Sequence, residues 1–448
     1  MTIFLRRLFS DSLLTILANL IILSNLFDLP LLIHIVITLL LIFFFSYFNI
    51  RPQLKKKGQQ RRRLDILEGG YELILASSMC FVATLILNGV VSRLSSAELT
   101  ALTYILNGLL ATICLGILLL NGLVRIFTTS TQTGITLRLL LILLWWVPLI
   151  NLFLLRKLCG IAAKEYAYET TKHQRNANRA AEKICQTQYP ILLVHGIFFR
   201  DWKAFNYWGR IPKELIANGA TIFYGKQQST AAVPISAAEI RDSILQVIEE
   251  TGAEKVNIIA HSKGGIDSRY AISKLGMANY VASLTTINTP HFGCNYARKL
   301  MAKLPDKAIQ SVGGQYEKLF TKLGDTEPDF MSGLVDLTDH ACAELNKIAP
   351  DVTGVLYQSV GSRMTSATSA AFPLNLGYLI IKPMAGENDG LVSTSAMVWG
   401  NYLGLLTSKG KQGISHGDMI DLTRKNIDGF DVCEFYVDLV AQLKNKGY

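Results

Sequence analysis

No set of cysteines and histidines in this 448-residue sequence has the spacing of a zinc site, so a structural zinc module is excluded. The cysteines are also too scattered for a disulfide framework, although a single bridge stays open. Cys80 and Cys114 lie in apolar runs, and Cys185, Cys294, Cys342 and Cys433 stand far apart. Charge is scarce: 17% of residues are charged and 50% hydrophobic, unusually apolar for a soluble enzyme. It is also uneven. Residues 1–180 hold 18 Lys+Arg against 8 Asp+Glu, and residues 181–448 hold 26 of each, so the net +10 belongs to the N-terminal part. Basic flanks on a membrane domain account for this pattern, and nucleic-acid binding by the globular part is not expected.

A signal peptide would give one short apolar run and stop. Here Leu13–Phe27 and Leu31–Phe48 are broken at Asp28-Leu29-Pro30, and Tyr71–Val91, Leu99–Leu123 and Leu137–Leu155 follow. A spanning helix needs about 20 mostly apolar residues. Five spans are expected over residues 1–155, with four as the alternative. Leu13–Phe27 is short, carries Asn19 and Asn25, and reads as a tilted segment or half of a re-entrant hairpin. Lys55–Lys57 and Arg61–Arg63 make one loop cytoplasmic, and three later spans then place the C-terminal part on the outer, periplasmic face. Arg156, Lys157, Lys164, Lys172, Arg175 and Arg179 pull the other way; the outer face is the expectation. Residues 156–188 read as a basic helical linker, lying on anionic head groups or solvated.

The remaining sequence is organised around Lys255–Gly265. A β-branched apolar run ends in Ala260-His261-Ser262-Lys263-Gly264 and passes into a helical segment, Ile266–Leu275. This is the strand–turn–helix context of a G-x-S-x-G nucleophile elbow, with Ala260 replacing the first glycine. A serine on so sharp a turn needs small residues two places to either side, and Ala260 and Gly264 meet that need. Upstream, Tyr189–Val194 is a buried strand entering a turn at His195-Gly196-Ile197. In a serine hydrolase the loop after such a strand supplies one oxyanion-hole amide and the residue after the nucleophile supplies the other, which assigns the backbone N–H groups of Ile197 and Lys263. His195 is expected to hold the turn. Trp202, Phe205, Tyr207 and Trp208 line an acyl pocket or pack the core.

Ile211–Ile216 reads as a helix, Thr221–Tyr224 as a strand, and Ser236–Glu239 as a capping box opening a helix to Glu250. Val281–Asn288 and Tyr378–Ile381 read as further strands. Alternation of strands and helices predicts an α/β class with a parallel sheet covered on both faces.

Five segments occur in order: Val194-His-Gly-Ile197, Ala260-His-Ser-Lys-Gly-Gly265, Thr285-Thr-Ile-Asn-Thr-Pro-His-Phe-Gly293, Asn388-Asp-Gly-Leu-Val-Ser393 and Ser415-His-Gly-Asp418. Together they resemble the bacterial triacylglycerol lipases of the α/β-hydrolase superfamily, over about residues 189–440. The membrane segments are outside that resemblance. It implies an α/β-hydrolase domain over 189–448, and the apolar runs before it are expected to form an all-α transmembrane domain in a bacterial inner membrane. It also implies Ser262 as nucleophile, Asp389 as orienting acid and His416 as base. Other downstream candidates are His291 and His340, and Asp336, Asp339, Asp351 and Glu387. An insertion at 294–350 is expected as a lid, or as a static helix over Ala297–Leu323. Some members hold calcium near the catalytic histidine. Asp418 matches one ligand position but no upstream acidic partner is found, so no metal and no cofactor are expected. The implied activity is hydrolysis of acyl esters of lipids through an acyl-enzyme. A phospholipase, an acyltransferase or a catalytically inactive membrane scaffold are the alternatives.

Overall fold

The computed structural model describes residues 3–27, 30–53, 62–94, 99–197, 206–228, 230–294, 330–410 and 412–448. The chain divides into two compact units, Met1–Arg175 and Asn176–Tyr448.

In the first unit, α1 (Ile3–Ala18) and α2 (Leu20–Leu26) are followed by α3 (Leu31–Ile50), α4 (Arg62–Leu94) and α5 (Ala101–Thr129). The last three are long and apolar enough to cross a membrane. The α1–α2 pair, bent by 77°, makes a fourth if counted as one span. Asn19 sits at that bend. Its side chain donates to Thr84 Oγ1 and accepts from Asn88 and Asn107, and Asn107 Oδ1 in turn accepts the Ile22 N–H that the break leaves open. Helices α4 and α5 approach closely because Gly70 and Gly122 face one another. A Cβ on Gly122 would lie 2.8 Å from the Gly70 carbonyl oxygen. Leu14, Ala18, Leu73, Ala111 and Leu118 pack the seam.

The expected span Leu137–Leu155 is not one helix. Helix α6 (Ile135–Leu143) stops, and α7 (Pro148–Arg179) starts at a proline. A proline ring disfavours helical geometry at the residue before it yet suits the first helical position. Helix α7 then continues through the expected linker without a break at residue 155. Outside the bend and this break, the apolar residues of the bundle present large exposed side chains, among them Leu39, Phe43, Ile105 and Leu120.

Among the described residues the second unit is built on six parallel strands in the order β2-β1-β3-β4-β5-β6. These are β1 (Ile191–Val194), β2 (Ile222–Tyr224), β3 (Val256–His261), β4 (Val281–Ile287), β5 (Leu356–Ser362) and β6 (Asn401–Leu406). β1, β3 and β4 are buried at every position, as central parallel strands covered on both faces are. Ile191 and Leu193 point into one core with Ile259, Ile287 and Val360. There they meet α8 (Ile211–Ala217) and the terminal α14 (Val432–Asn445). Leu192 and Val194 point the other way, with Ile258 and Ala260, onto α9 (Val233–Thr251) and α10 (Lys263–Lys274). The expected lid is described only from Phe330, as α11 (Phe330–Val335) and α12 (Asp339–Ile348). Ala297–Leu323, Trp202 and Phe205 lie outside the described residues.

Two local expectations are corrected. Tyr378–Ile381 is not a strand but part of α13 (Leu374–Ala385), which buries Tyr378 and Ile381 three residues apart and ends at Gly386 with φ 79°. Ser236 does not cap α9. The helix opens at Val233 with Pro234 in its first turn, and buried Ser236 and Glu239 bond elsewhere.

The sheet order locates the crevice. The chain passes from β1 to β2 on one side and then to β3 on the other, so the loops leaving β1 and β3 diverge at their carboxyl ends. This switch point is where open α/β sheets bind ligands. The loop at Gly196 and the turn at Ser262 meet there.

Candidate active site

Ser262 leaves β3 with φ 55° and ψ −129°, a backbone conformation costly for a residue with a Cβ, and α10 begins at the next residue. The surroundings over-determine it. Its N–H donates to the Ile287 carbonyl at 2.9 Å, and its carbonyl accepts Thr289 Oγ1 at 2.8 Å and the Gly265 N–H at 3.1 Å. Neighbouring glycines make room for the turn. A Cβ on Gly264 would lie 2.3 Å from the His195 carbonyl oxygen, and one on Gly265 2.2 Å from Thr289 Oγ1. Gly196 packs so closely that its Cβ would stand 2.8 Å from Ser262 Cβ. Ile197 follows immediately and is buried against Val233 and Ile266. The two backbone amides expected to form an oxyanion hole therefore belong to a loop and a helix start that flank the serine.

His416 stands after β6 in a buried loop. Its Nδ1 lies 2.6 Å from Asp389 Oδ2, and its backbone N–H donates to the Asp389 carbonyl at 2.9 Å. Asp389 is fully buried and saturated. The Leu391 and Val392 N–H groups donate to Oδ1 at 2.9 and 2.7 Å, and Asn288 Nδ2 donates to Oδ2 at 2.7 Å. A carboxylate accepting this many donors is held in one orientation, which fixes the imidazole. The His416 ring centre lies 4.4 Å from that of His261, the residue before Ser262. The His416–Asp389 pair thus stands beside His261, the residue that precedes Ser262 at the end of β3.

The competing candidates are engaged otherwise. His195 bridges the Gly196 and Gln227 carbonyl oxygens at 2.9 and 3.0 Å and holds the turn. His291 contacts Thr286 Oγ1 at 2.9 Å and stacks on Trp399, while His340 is exposed on α12. Asp336 accepts the Val233 N–H, Asp351 accepts Trp399 Nε1, and Glu387 pairs with Arg363. Asp418 accepts the Ser415 N–H and hydroxyl at 2.9 and 2.7 Å, which shapes the turn carrying His416. Among the described residues no group of three or more His, Cys, Asp and Glu is placed to hold a metal ion.

Three contributors were not legible as such. Asn288 holds both Asp389 and Ser362 Oγ at 2.7 Å. A polar residue following a fully buried strand is the one signal that marks it. Tyr207 Oη accepts the Gly196 N–H at 2.9 Å and lies 2.7 Å from His261 Nδ1, joining the loop after β1 to the elbow. Burial holds His261 well below the usual imidazole range, so it is neutral. Beneath the elbow, Lys263 Nζ pairs with Asp267 Oδ1 at 2.7 Å, both buried, and donates to Ser236 Oγ at 3.2 Å.

Residues 191–329 match the model of a protein family described as "Putative serine esterase (DUF676)". The chain is 28% identical over 280 residues to a triacylglycerol lipase of Burkholderia plantarii, covering 50% of this chain and 78% of that one. It is 29% identical over 241 residues to a triacylglycerol lipase of Vibrio cholerae, covering 49% and 76%. Among solved structures, a Bacillus licheniformis lipase, BlEst2 in mature form, aligns with a TM-score of 0.42 at 18% identity, over 56% of this chain and 91% of that one. With the parallel sheet, the elbow at Ser262 and these relatives, the C-terminal unit is an α/β-hydrolase domain similar to triacylglycerol lipases, and it is a carboxylic ester hydrolase.

Proposed function

We propose that this protein is a membrane-anchored serine lipase or esterase in which Ser262, His416 and Asp389 form the catalytic triad. The observation that carries the reading is the His416–Asp389 pair standing beside a strained serine elbow at the sheet's switch point. His416 Nε2 takes the Ser262 proton as Oγ attacks the ester carbonyl, and the imidazolium is stabilised by Asp389. The carbonyl oxygen becomes an oxyanion held by the Ile197 and Lys263 N–H groups, the latter at the first turn of α10. His416 returns the proton to the leaving alkoxide, which departs as the alcohol. A water then attacks the acyl-serine with His416 again accepting its proton, and the carboxylic acid leaves as Ser262 is regenerated.

A lipid substrate is favoured by what surrounds the site. Helix α13 seats Gly377 and Leu374 against Gly390, the residue after Asp389, and exposes Leu376 and Leu379, with exposed Phe372 just before it. An exposed apolar edge beside the acid and base suits an acyl chain or a bilayer surface. In this reading residues 1–155 anchor the chain, residues 156–188 link, and residues 189–448 catalyse from the periplasmic face of a bacterial inner membrane.

The test is acyl release by the purified full chain and Ser262→Ala. The substrates are short nitrophenyl esters, monoacylglycerol, diacylglycerol, triacylglycerol and two phospholipids. Serine-dependent release from acylglycerols supports the lipase reading. Release from phospholipids alone moves it to a phospholipase. Release only with an added alcohol acceptor moves it to an acyltransferase, and silence from folded protein favours a scaffold. Protease accessibility in sealed inner-membrane vesicles reports the side.

A further inference from the structure

The first unit contains a cavity of about 470 Å³ between α1, α2 and α4 that the hydrolytic reading does not use. Its walls change character along its length. Arg7 and Asp11 stand at one end beside Phe4 and Leu8, the Ser12 and Thr15 hydroxyls follow, and the remaining lining from Ile16 to Leu87 is apolar. Position along the helices explains the change. Asp11 is the last charged residue of α1, and Glu72, beside the same end, is the last on α4 before Arg93. From Glu72 to Leu87 the helix rises about 22 Å. The cavity therefore runs from the charged margin of the bundle into its apolar span.

The charged end is incompletely paired. Arg7 Nη2 donates to both carboxylate oxygens of Glu72 at 2.6 Å, while its Nε is buried without a hydrogen-bond partner among the described residues. Asp11, 9% exposed, has an Oδ2 that is buried without a hydrogen-bond partner among the described residues. One guanidinium stands against two carboxylates here, so the end carries an excess of negative charge, and its unpaired buried atoms are one acceptor, Asp11 Oδ2, and one donor, Arg7 Nε. An unpaired carboxylate oxygen at the mouth of an apolar slot in a membrane segment is costly unless something supplies that donor.

We propose that this cavity binds one acyl chain of a lipid whose head group presents a hydrogen-bond donor, a hydroxyl or an ammonium, to Asp11. A free fatty acid would instead bring a third carboxylate to the same end. The inference rests on the membrane placement proposed above and is independent of the hydrolytic reading. Resistance of the full chain to alkaline extraction from membranes reports that placement by itself.

The experiment is photolabelling of the full chain in detergent, followed by peptide mapping. Three probes carry a diazirine in the acyl chain: a monoacylglycerol, a phosphatidylethanolamine and a free fatty acid. We expect the hydroxyl probe, the ammonium probe or both to label the Met79–Leu87 segment above the fatty acid. Asp11→Ala should reduce this labelling about tenfold or more, the loss of a hydrogen bond to a charged group. Ala83→Trp should reduce it by filling the slot while leaving Asp11 in place. Unchanged melting temperature and hydrolysis of a short nitrophenyl ester would show that both variants remain folded. Equal labelling by all three probes, preference for the fatty acid, or loss in Ala83→Trp without loss in Asp11→Ala would overturn the proposal.

Discussion

Asp389 Oδ2 accepts two side-chain donors at nearly the same distance, His416 Nδ1 at 2.6 Å and Asn288 Nδ2 at 2.7 Å. The asparagine holds the carboxylate, and the carboxylate holds the imidazole. Asp389→Asn replaces an acceptor with a group that cannot stabilise an imidazolium, and kcat should fall about 10⁴-fold at neutral pH. Asn288→Leu should act through the same carboxylate more weakly, lowering kcat more than it raises KM. An equal rate in Asp389→Asn would exclude His416 as its dependent base.

Tyr207→Phe removes the hydroxyl that accepts the Gly196 N–H and contacts His261, leaving a buried donor unpaired. Such a group costs about 1–3 kcal/mol. Urea denaturation should show a loss in that range. Catalysis should fall as well, because the loop after β1 loses its tie to the elbow. Loss of stability with full kcat would mean that the loop is held without Tyr207.

Gly264→Ala tests the crowding behind the nucleophile. The added methyl would sit 2.3 Å from the His195 carbonyl oxygen, a backbone atom, so the elbow or the β1 loop must shift. Overpacking of this kind costs about 1–3 kcal/mol. We expect folded but destabilised protein with little ester hydrolysis. Wild-type rates would show that the elbow tolerates a displacement the geometry forbids.

The buried Lys263–Asp267 pair makes a pH-dependent prediction. Burial raises the Asp267 carboxyl from 3.8 to about 6, although Lys263 opposes the shift. The native chain therefore binds this proton more tightly than the unfolded chain. The contribution of Asp267 to stability falls as pH rises from 3.8 to about 6 and is level above that. Lys263→Met removes the counter-ion and extends the fall to higher pH. It should cost about 3–5 kcal/mol at pH 8 and less at pH 5, and Lys263→Met with Asp267→Leu should recover most of the loss. Urea titrations at the two pH values check this, and an equal cost at both would contradict it.

What could be read from the sequence follows physical lines. β1, β3 and β4 are legible because Ile191–Val194, Val256–Ala260 and Val281–Ile287 are buried on both faces and so read as runs rich in apolar and β-branched residues, broken only by single small polar residues such as Asn257 and Ser283 and by Thr285 and Thr286. Tyr378–Ile381 misleads because four apolar residues fit a buried strand and a helix equally; α13 is decided by contacts at Gly377 that composition does not carry. Ser236–Glu239 has the residues of a capping box, yet Pro234 starts α9 earlier and Lys263 claims Ser236. The expected span Leu137–Leu155 is interrupted at Pro148, where a local steric rule outweighs the mean hydropathy. Asn288 and Tyr207 owe their roles to partners 101 and 54 residues away, which no local pattern encodes.

The central claim is that Ser262 is a nucleophile activated at this site, and active-site labelling tests it most directly. The full chain would be incubated with a fluorophosphonate, and the adduct located by mass spectrometry of its peptides. The account predicts one adduct, on the peptide carrying Ser262. Labelling should be absent in Ser262→Ala and strongly slowed in His416→Ala, with both variants folded by their melting curves. Undiminished labelling of Ser262→Ala, or no labelling of the folded wild-type chain, would contradict it.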